Sequence, residues 1–308
     1  MKSGDDNTMA ILISLRQLNV FNAITQHNTL TAAAEKLYLS KAAVSMALAE
    51  LEKHLGQPLF DRVNNRLILN QEGQKLLPLA DELLDRAQQI NTLFDDEHAN
   101  SGKLRLGSSD TIGNHVSPYL LSQFRQQQQH FSQSLFISNS ATICQKLLDF
   151  ELDVALIERD NYHPDLLSVP FSADNMCVIS ASEHPLAKLE KVTINDLDNH
   201  DWVLREPGSG SRECFINTLA PQLKHWQLAF ELNTTEALIS SVSAGLGLGC
   251  LSTLAAQYAI ESGRVSLLKQ PIEMPRSFWL LVHKDKYQSP LLKRFMTFCL
   301  QWQSSVQL

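Results

Sequence analysis

LTAAAEKLYLSKAAVSMALAELEKHLG, residues 30–56, contains two helical patterns joined by one tight turn. Thr31 precedes Ala32, Ala33, Ala34 and Leu37, as a cap precedes a helix with a small apolar face. Tyr38-Leu39 interrupts the pattern. Ser40 supplies a second cap, and Val44, Leu48, Leu51 and Leu55 recur at helical spacing until Gly56 ends the run. Upstream, Ser14 and Gln17 form a capping-box pair ahead of Leu15, Leu18, Phe21 and Ile24, and His27-Asn28-Thr29 closes that helix. Downstream, Phe60–Val63 and Arg66–Leu69 flank Asn64-Asn65 like the arms of a hairpin. Helix, helix, turn, helix, hairpin is a winged helix-turn-helix, assigned to residues 13–70. In that arrangement the third helix enters a DNA major groove.

A long helix is expected over 71–100. Leu76, Ala80, Leu83, Ala87, Ile90 and Phe94 alternate steps of four and three, a heptad seam that wants a partner helix. Pro78 sits near its start. Residues 15–70 carry six Lys and Arg against four Asp and Glu, whereas 71–101 carry two against seven. The segment that repels phosphate thus follows the module that attracts it. After Ser101-Gly102, strands and helices alternate. A β-α-β-α-β set covers Lys103 to Ile157, and a second set runs from Met176 to Leu251. Phe278–Val282 and a helix from Pro290 then return the chain. The expected form is a two-lobed α/β domain over 102–308, with lobe I from 102–173 and 272–308 and lobe II from 174–271.

The 308 residues exceed one average domain, and 44% hydrophobic content suits buried cores. A net charge of −7 excludes a uniformly basic nucleic-acid coat but not a local DNA-binding module. The five cysteines are scattered without a CxxC, against a disulfide framework or zinc site. Cys144 and Cys177 are read as small buried thiols in preference to redox sensors. Ala237 to Ile260 is uncharged, but its serines and Gly245, Gly247 and Gly249 fit a helix, a turn and a buried strand better than a membrane span. The opening MKSGDDNTMA is no secretory signal, and Met9 offers an alternative start. The expected setting is the cytoplasm. No cofactor, metal ligand set or catalytic residue is expected: HExxH, GxSxG and GxxxxGK[ST] do not occur, and the glycines at 245–249 lack dinucleotide-binding spacing.

Residues 15–80 resemble the amino-terminal domain of LysR-type transcriptional regulators without a gap. GKLRLGSSDTIGNHVSPYLLSQF, LDVALIE and SAGLGLGCLS resemble that family's periplasmic-binding-protein-like effector domain. AVSMALAELEKHLG, FDRVNNRLILN and REPGSGSR look most like its YeiE-like branch, which senses sulfur oxyanions such as sulfite. The resemblance implies a sequence-specific regulator that binds promoter DNA under control of a small effector, with four copies assembled. Two departures stand out. The third helix opens Ser40-Lys41-Ala42 where the family usually has Ser-Gln-Pro, and Met46 stands where many members carry Arg.

The DNA-contacting candidates are Thr31, Ser40, Lys41, Ala42, Ser45, Met46, Arg62 and Arg66. Thr31 and Ser40 present helix starts to phosphate. Ala42, Ser45 and Met46 lie opposite Val44 and Leu48, where methyl groups meet thymine and a hydroxyl reaches a base edge. Arg62 and Arg66 flank the wing tip. With so few cations, affinity requires oligomerisation: a homodimer through the linker helix and, by resemblance, a homotetramer. The effector candidates are Ser108, Ser109, Thr111, Asn139, Ser140, Thr142, Ser209, Gly210, Ser211 and Arg212. They sit at strand ends and helix starts, where open α/β sheets take ligands and where N–H groups favour an anion, with Arg212 adding charge. Glu206 repels an anion unless paired, and equally suits a zwitterion or cation. Whether Thr235-Glu236 reaches the cleft is left open. Rival readings are the same regulator sensing an organic carboxylate or aromatic acid, and a two-lobed solute-binding protein or enzyme.

Overall fold

The computed structural model describes residues 12–64, 66–91, 102–158, 163–269 and 272–302. They divide into two compact units. The first extends to Gly102 and takes in the short segment Asp285–Tyr287; the second holds Lys103–Lys284 and the remainder.

In the first unit, α1 (Leu15–His27), α2 (Leu30–Leu37) and α3 (Lys41–Leu55) precede the hairpin β1 (Phe60–Val63) and β2 (Arg66–Leu69), and α4 (Gln71–Asn91) follows. The Ser14–Gln17 capping box starts α1 as expected. The cap of α2 is Thr29, whose side chain accepts from Ala32 N; Thr31 stands two residues too late and is exposed inside the helix. The two residues are alike chemically, so the sequence pattern alone did not separate them. Tyr38 takes the left-handed conformation at the turn (φ 54°), and Ser40 caps α3. Ala33 and Ala34 are fully or nearly fully buried, and these small side chains let Val44, Leu48 and Leu51 of α3 approach closely. Phe21 and Phe60 close this core with ring centroids 5.5 Å apart. Asn70 Oδ1 accepts from Gly73 N at the start of α4. A Cβ on Gly73 would lie 2.3 Å from the Leu59 carbonyl oxygen, so glycine is required for α4 to pass the wing.

On α4 the expected seam is split: Leu83 and Ile90 lie on the exposed face, but Ala80 does not. Ala80 is wholly buried in its own unit beside Leu77, and the apolar residues left exposed are Leu79, Leu83 and Ile90. A helix has room to bury one apolar face locally and present a second, and the heptad count did not distinguish them. Phe94 and the rest of 92–100 lie outside the described residues.

The second unit is built on a nine-stranded sheet. Its first half holds β3 (Leu104–Ser109), α5 (Asp110–His115), α6 (Ser117–Gln128), β4 (Gln133–Ser138), α7 (Ser140–Leu148) and β5 (Val154–Ile157). A sixteen-residue strand, β6 (Leu166–Ala181), leads to α8 (Ile194–Leu197), β7 (Asp201–Arg205), α9 (Gly210–Cys214), β8 (Gln227–Leu232), α10 (Thr235–Ser243), β9 (Leu248–Ser252) and α11 (Thr253–Glu261). Then come β10 (Val265–Leu267), β11 (Met274–His283) and α12 (Pro290–Gln301). The strand order is β4-β3-β5-β11-β6-β9-β7-β8, with β10 on β6. β3 pairs in parallel with β4 and β5, and β7 with β8 and β9, giving two parallel βαβ lobes. The antiparallel pair β6–β11 joins them along almost its whole length. Phe124, Phe278 and Phe295 centre the core of lobe I, and Trp202 and Phe215 that of lobe II.

This is the α/β architecture with an α-rich winged helix-turn-helix head that the pattern predicted. Three details differ. β3 runs on through Ser108 and Ser109, so those serines belong to the strand and not to a loop after it. The helix expected from Ile112 is two helices meeting at Val116. The segment 237–260 forms α10, β9 and most of α11. Among the described residues no helix is long and apolar enough to cross a membrane.

Candidate functional site

The candidate nucleic-acid face is built on α3. Ser40 Oγ accepts from Ala43 N at its start, leaving the side chains of Lys41, Ala42 and Met46 exposed and that of Ser45 half-buried. Val44, wholly buried, fixes which face turns outward. Thr31, Arg62 and Arg66 are exposed as well. In the hairpin register Arg62 is opposite Leu67 and Arg66 is opposite Val63. Directly opposed residues share a face, so the two arginines leave the ribbon on different sides. Leu67, which shares the side of Arg62, is the buried one. Tyr38, 96% exposed, was not among the sequence candidates.

The second candidate site lies between the lobes, at the carboxyl ends of β3, β5 and β7. Ser109 and Ser140 hold buried hydroxyls that make no hydrogen bond among the described residues. Asn139 caps α7, accepting from Thr142 N, and its amide donates to Glu206 Oε1 at 3.1 Å. Ala141 N donates to the Gly208 carbonyl, so the start of α7 touches the loop before α9. A Cβ on Gly210 would lie 2.8 Å from the Glu158 Cβ and 3.5 Å from Ser140 Oγ. Only a glycine lets α9 come this close to lobe I.

Charged groups fill the rest. Arg205, with its side chain 3% exposed, donates to Asp110 Oδ2 at 3.0 Å and to both Glu206 oxygens. Thr235 Oγ1 donates to the same Asp110 oxygen. Arg276 donates to Glu158 Oε2 at 3.0 Å, to Asp174 Oδ2, to Ser211 Oγ and to Thr111 Oγ1. Glu158 also accepts from Thr111 N at 2.8 Å, so a carboxylate of the chain itself occupies the start of α5. Burial by itself pushes the Glu158 carboxyl up, but Arg276 and the two Thr111 bonds outweigh it and hold the group below its ordinary range. Burial likewise opposes ionisation of Glu206, and Arg205 and Asn139 overcome it. Four carboxylates, Asp110, Glu158, Asp174 and Glu206, thus face two guanidinium groups.

Sequence reasoning brought Ser109, Thr111, Asn139, Ser140, Gly210 and Ser211 to this place. Thr142 contributes its backbone N–H to the α7 cap, and Ser209 is buried at the start of α9. Ser108 is buried away from the cleft, its Oγ 2.8 Å from Ser117 Oγ. Arg212 turns to Glu231 and to the Arg205 carbonyl, so the cations at the cleft are Arg205 and Arg276. Thr235 reaches the cleft, whereas Glu236 pairs with Arg264. Arg205 and Glu158 end or follow apolar strands, the same signal that selected Ser109. Arg276 begins a returning strand and carried no such mark. Burial pushes the Cys177 thiol up to about 12, and raises Cys214 and Cys250 too, so these cysteines stay protonated.

Residues 15–74 match the model of the bacterial regulatory helix-turn-helix protein, lysR family, and residues 97–304 that of the LysR substrate binding domain. The chain belongs to the LysR family of transcriptional regulators. It is 36% identical over 288 residues to the uncharacterized HTH-type transcriptional regulator YeiE of Escherichia coli, covering 93% of this chain and 97% of that protein. Full-length OxyR from Pseudomonas aeruginosa has the same fold, with a TM-score of 0.70 at 20% identity over 93% of each chain. CbnR, solved with its target DNA, has a TM-score of 0.55 at 19% identity, covering 93% of this chain and 98% of that one. As a LysR-type regulator the chain is a DNA-binding transcription factor with an effector-binding domain, and not an enzyme.

Proposed function

We propose that this regulator reads promoter DNA in the cytoplasm with the exposed face of α3 and the wing, as a dimer or tetramer, and that a small oxyanion in the inter-lobe cleft modulates the binding. The observation that carries the effector reading is the pair of buried, unsatisfied hydroxyls on Ser109 and Ser140. A buried polar group left without a partner costs about 1–3 kcal/mol, so a ligand that accepts from both is favoured. A sulfur oxyanion such as sulfite fits these neutral donors. On the DNA side, Lys41, Ala42, Ser45 and Met46 supply the groove contacts, Thr31 and Ser40 phosphate contacts, and Arg62 and Arg66 the wing contacts. The exposed Leu79, Leu83 and Ile90 form the pairing face of the linker helix.

A second reading is favoured by the excess of carboxylates over guanidinium groups in the cleft. A ligand that also carries a cationic group, such as a zwitterion, relieves that imbalance. A thermal-shift panel of sulfite, sulfate, thiosulfate, small carboxylates and amino acids separates the two, because a ligand that binds only the folded form raises apparent stability. Stabilisation by an oxyanion, lost in Ser140→Ala, supports the first reading; stabilisation by amino acids alone replaces it with the second. A promoter footprint that never changes with any of them rejects effector control at this cleft.

A further inference from the structure

The outward line of α3 carries no hydrogen-bonding side chain until its last turn. Val44, Leu48 and Leu51 are buried and fix the inner face. At about 3.6 residues per turn, the side chains farthest from them are Ala42, Met46 and Ala49, spaced four and three, and then Lys53. All four are exposed, Met46 at 62%. The line is flanked by Ser45, which is half-buried, and by Glu50, which accepts from Gln17 Nε2 at 3.4 Å. The helix holds no arginine. Tyr38 stands just ahead of it, two residues before the Ser40 cap, with its ring almost wholly in solvent. Its left-handed backbone strains a bulky residue and suits glycine or asparagine. An aromatic kept in a strained and fully exposed position gains nothing for the free protein, and strain of this kind gathers where a ligand is met.

We propose that the outward line of α3 selects DNA by the C5-methyl groups of thymine, met by Ala42, Met46 and Ala49, and reads no guanine, while Tyr38 anchors the start of the helix to the sugar-phosphate edge of the same groove. The proposal rests on the reading of α3 as the groove helix and narrows what that helix recognises. In the major groove guanine shows two acceptors, adenine an acceptor and a donor, and cytosine a donor; thymine alone adds a methyl. A line of alanine and methionine offers the donors and acceptors no good partner, so its sequence-dependent gain is the apolar surface it shares with a methyl. Both ends of the line are polar. The Tyr38 hydroxyl donates to phosphate at one end and the Lys53 ammonium at the other, contacts that position the helix without carrying sequence.

The test uses the full-length chain and the duplex that it selects for itself from a random-sequence pool. Each thymine of the selected site is replaced in turn by uracil, which removes only the methyl group. At one or more thymines in each half-site the affinity is expected to fall about fourfold per methyl. Met46→Ala should abolish that loss at the positions facing Met46 and keep it elsewhere, whereas Met46→Leu, which retains the apolar volume, should preserve it throughout. Tyr38→Asn should raise the melting temperature, because asparagine tolerates the left-handed turn, and should weaken binding to all duplexes alike. A selected site indifferent to uracil, or one whose uracil losses are the same in Met46→Ala at every position, overturns the proposal and leaves α3 standing as the groove helix. A pool that never converges on a sequence overturns that reading and the proposal with it. Undiminished binding by Tyr38→Asn overturns the part assigned to Tyr38.

Discussion

Arg205 of lobe II and Asp110 of lobe I meet at 3.0 Å across the cleft, and Thr235 donates to the same carboxylate. The closed approach of the lobes therefore rests on a buried charge pair as well as on the glycine contact at Gly210. Arg205→Ala removes the shared guanidinium partner of the half-buried Asp110 and Glu206 and is expected to cost about 3 kcal/mol. Asp110→Asn leaves Arg205 with Glu206 and should cost about 1–2 kcal/mol. Urea unfolding followed by tryptophan fluorescence checks both, and equal losses for the two variants would contradict the arrangement.

Glu158 predicts an acid sensitivity. Its folded pKa lies below the ordinary 4.5, so the carboxylate adds stability that is fully present above about 4.5 and is lost as pH falls through the lowered value. Glu158→Gln should unfold more readily at pH 7 and lose less melting temperature than the natural chain on going from about pH 7 to about pH 3. A steeper acid loss in the variant would show that Glu158 carries no such linkage.

Thr29 and Thr31 separate capping from DNA contact. Thr29→Ala should destabilise the DNA-binding unit by about 1 kcal/mol, because it removes the acceptor for Ala32 N. Thr31→Ala should leave stability within about 0.5 kcal/mol and weaken promoter binding. Thermal unfolding and gel shift, run on the same preparations, decide between them.

The hairpin register makes Arg62 and Arg66 unequal. Arg66→Ala, on the face away from the buried Leu67, is expected to lower the magnitude of the log–log salt slope by about 0.9 for each phosphate no longer neutralised, and Arg62→Ala to lower it less. Promoter affinity measured across a salt series reads this directly, and equal slopes for both variants would remove the distinction.

Leu83→Asp places a charge in the exposed stripe of α4, which in a paired helix would be buried. The oligomer should shift to smaller species by light scattering, with melting of the monomer little affected. An unchanged mass would mean that another surface holds the copies together.

Helix caps, spacings and strand ends are local properties, and local sequence was enough for them. The Ser14–Gln17 box, the stop at Gly56, the Phe60–Leu69 hairpin and the alternation of strands and helices after Gly102 all follow from neighbouring residues. The choice between Thr29 and Thr31 as cap fell within the ordinary error of placing a helix end. Which side of α4 is buried depended on Leu59, Leu69 and the helices packed beside it, none of which a heptad count contains.

The cleft is where local reasoning ended. Ser109 and Ser140 were legible because strand ends and helix starts mark themselves. The charges between them were not, because Arg276 and Glu158 lie 118 positions apart and Arg205 and Asp110 lie 95 apart. Coulomb interactions and desolvation depend on distance in space and on the surrounding dielectric, and a chain has neither until it has folded. So the class of molecule was written in periodicity and capping, whereas the pairing of Arg205 with Asp110 and of Arg276 with Glu158 was settled only when distant strands came together.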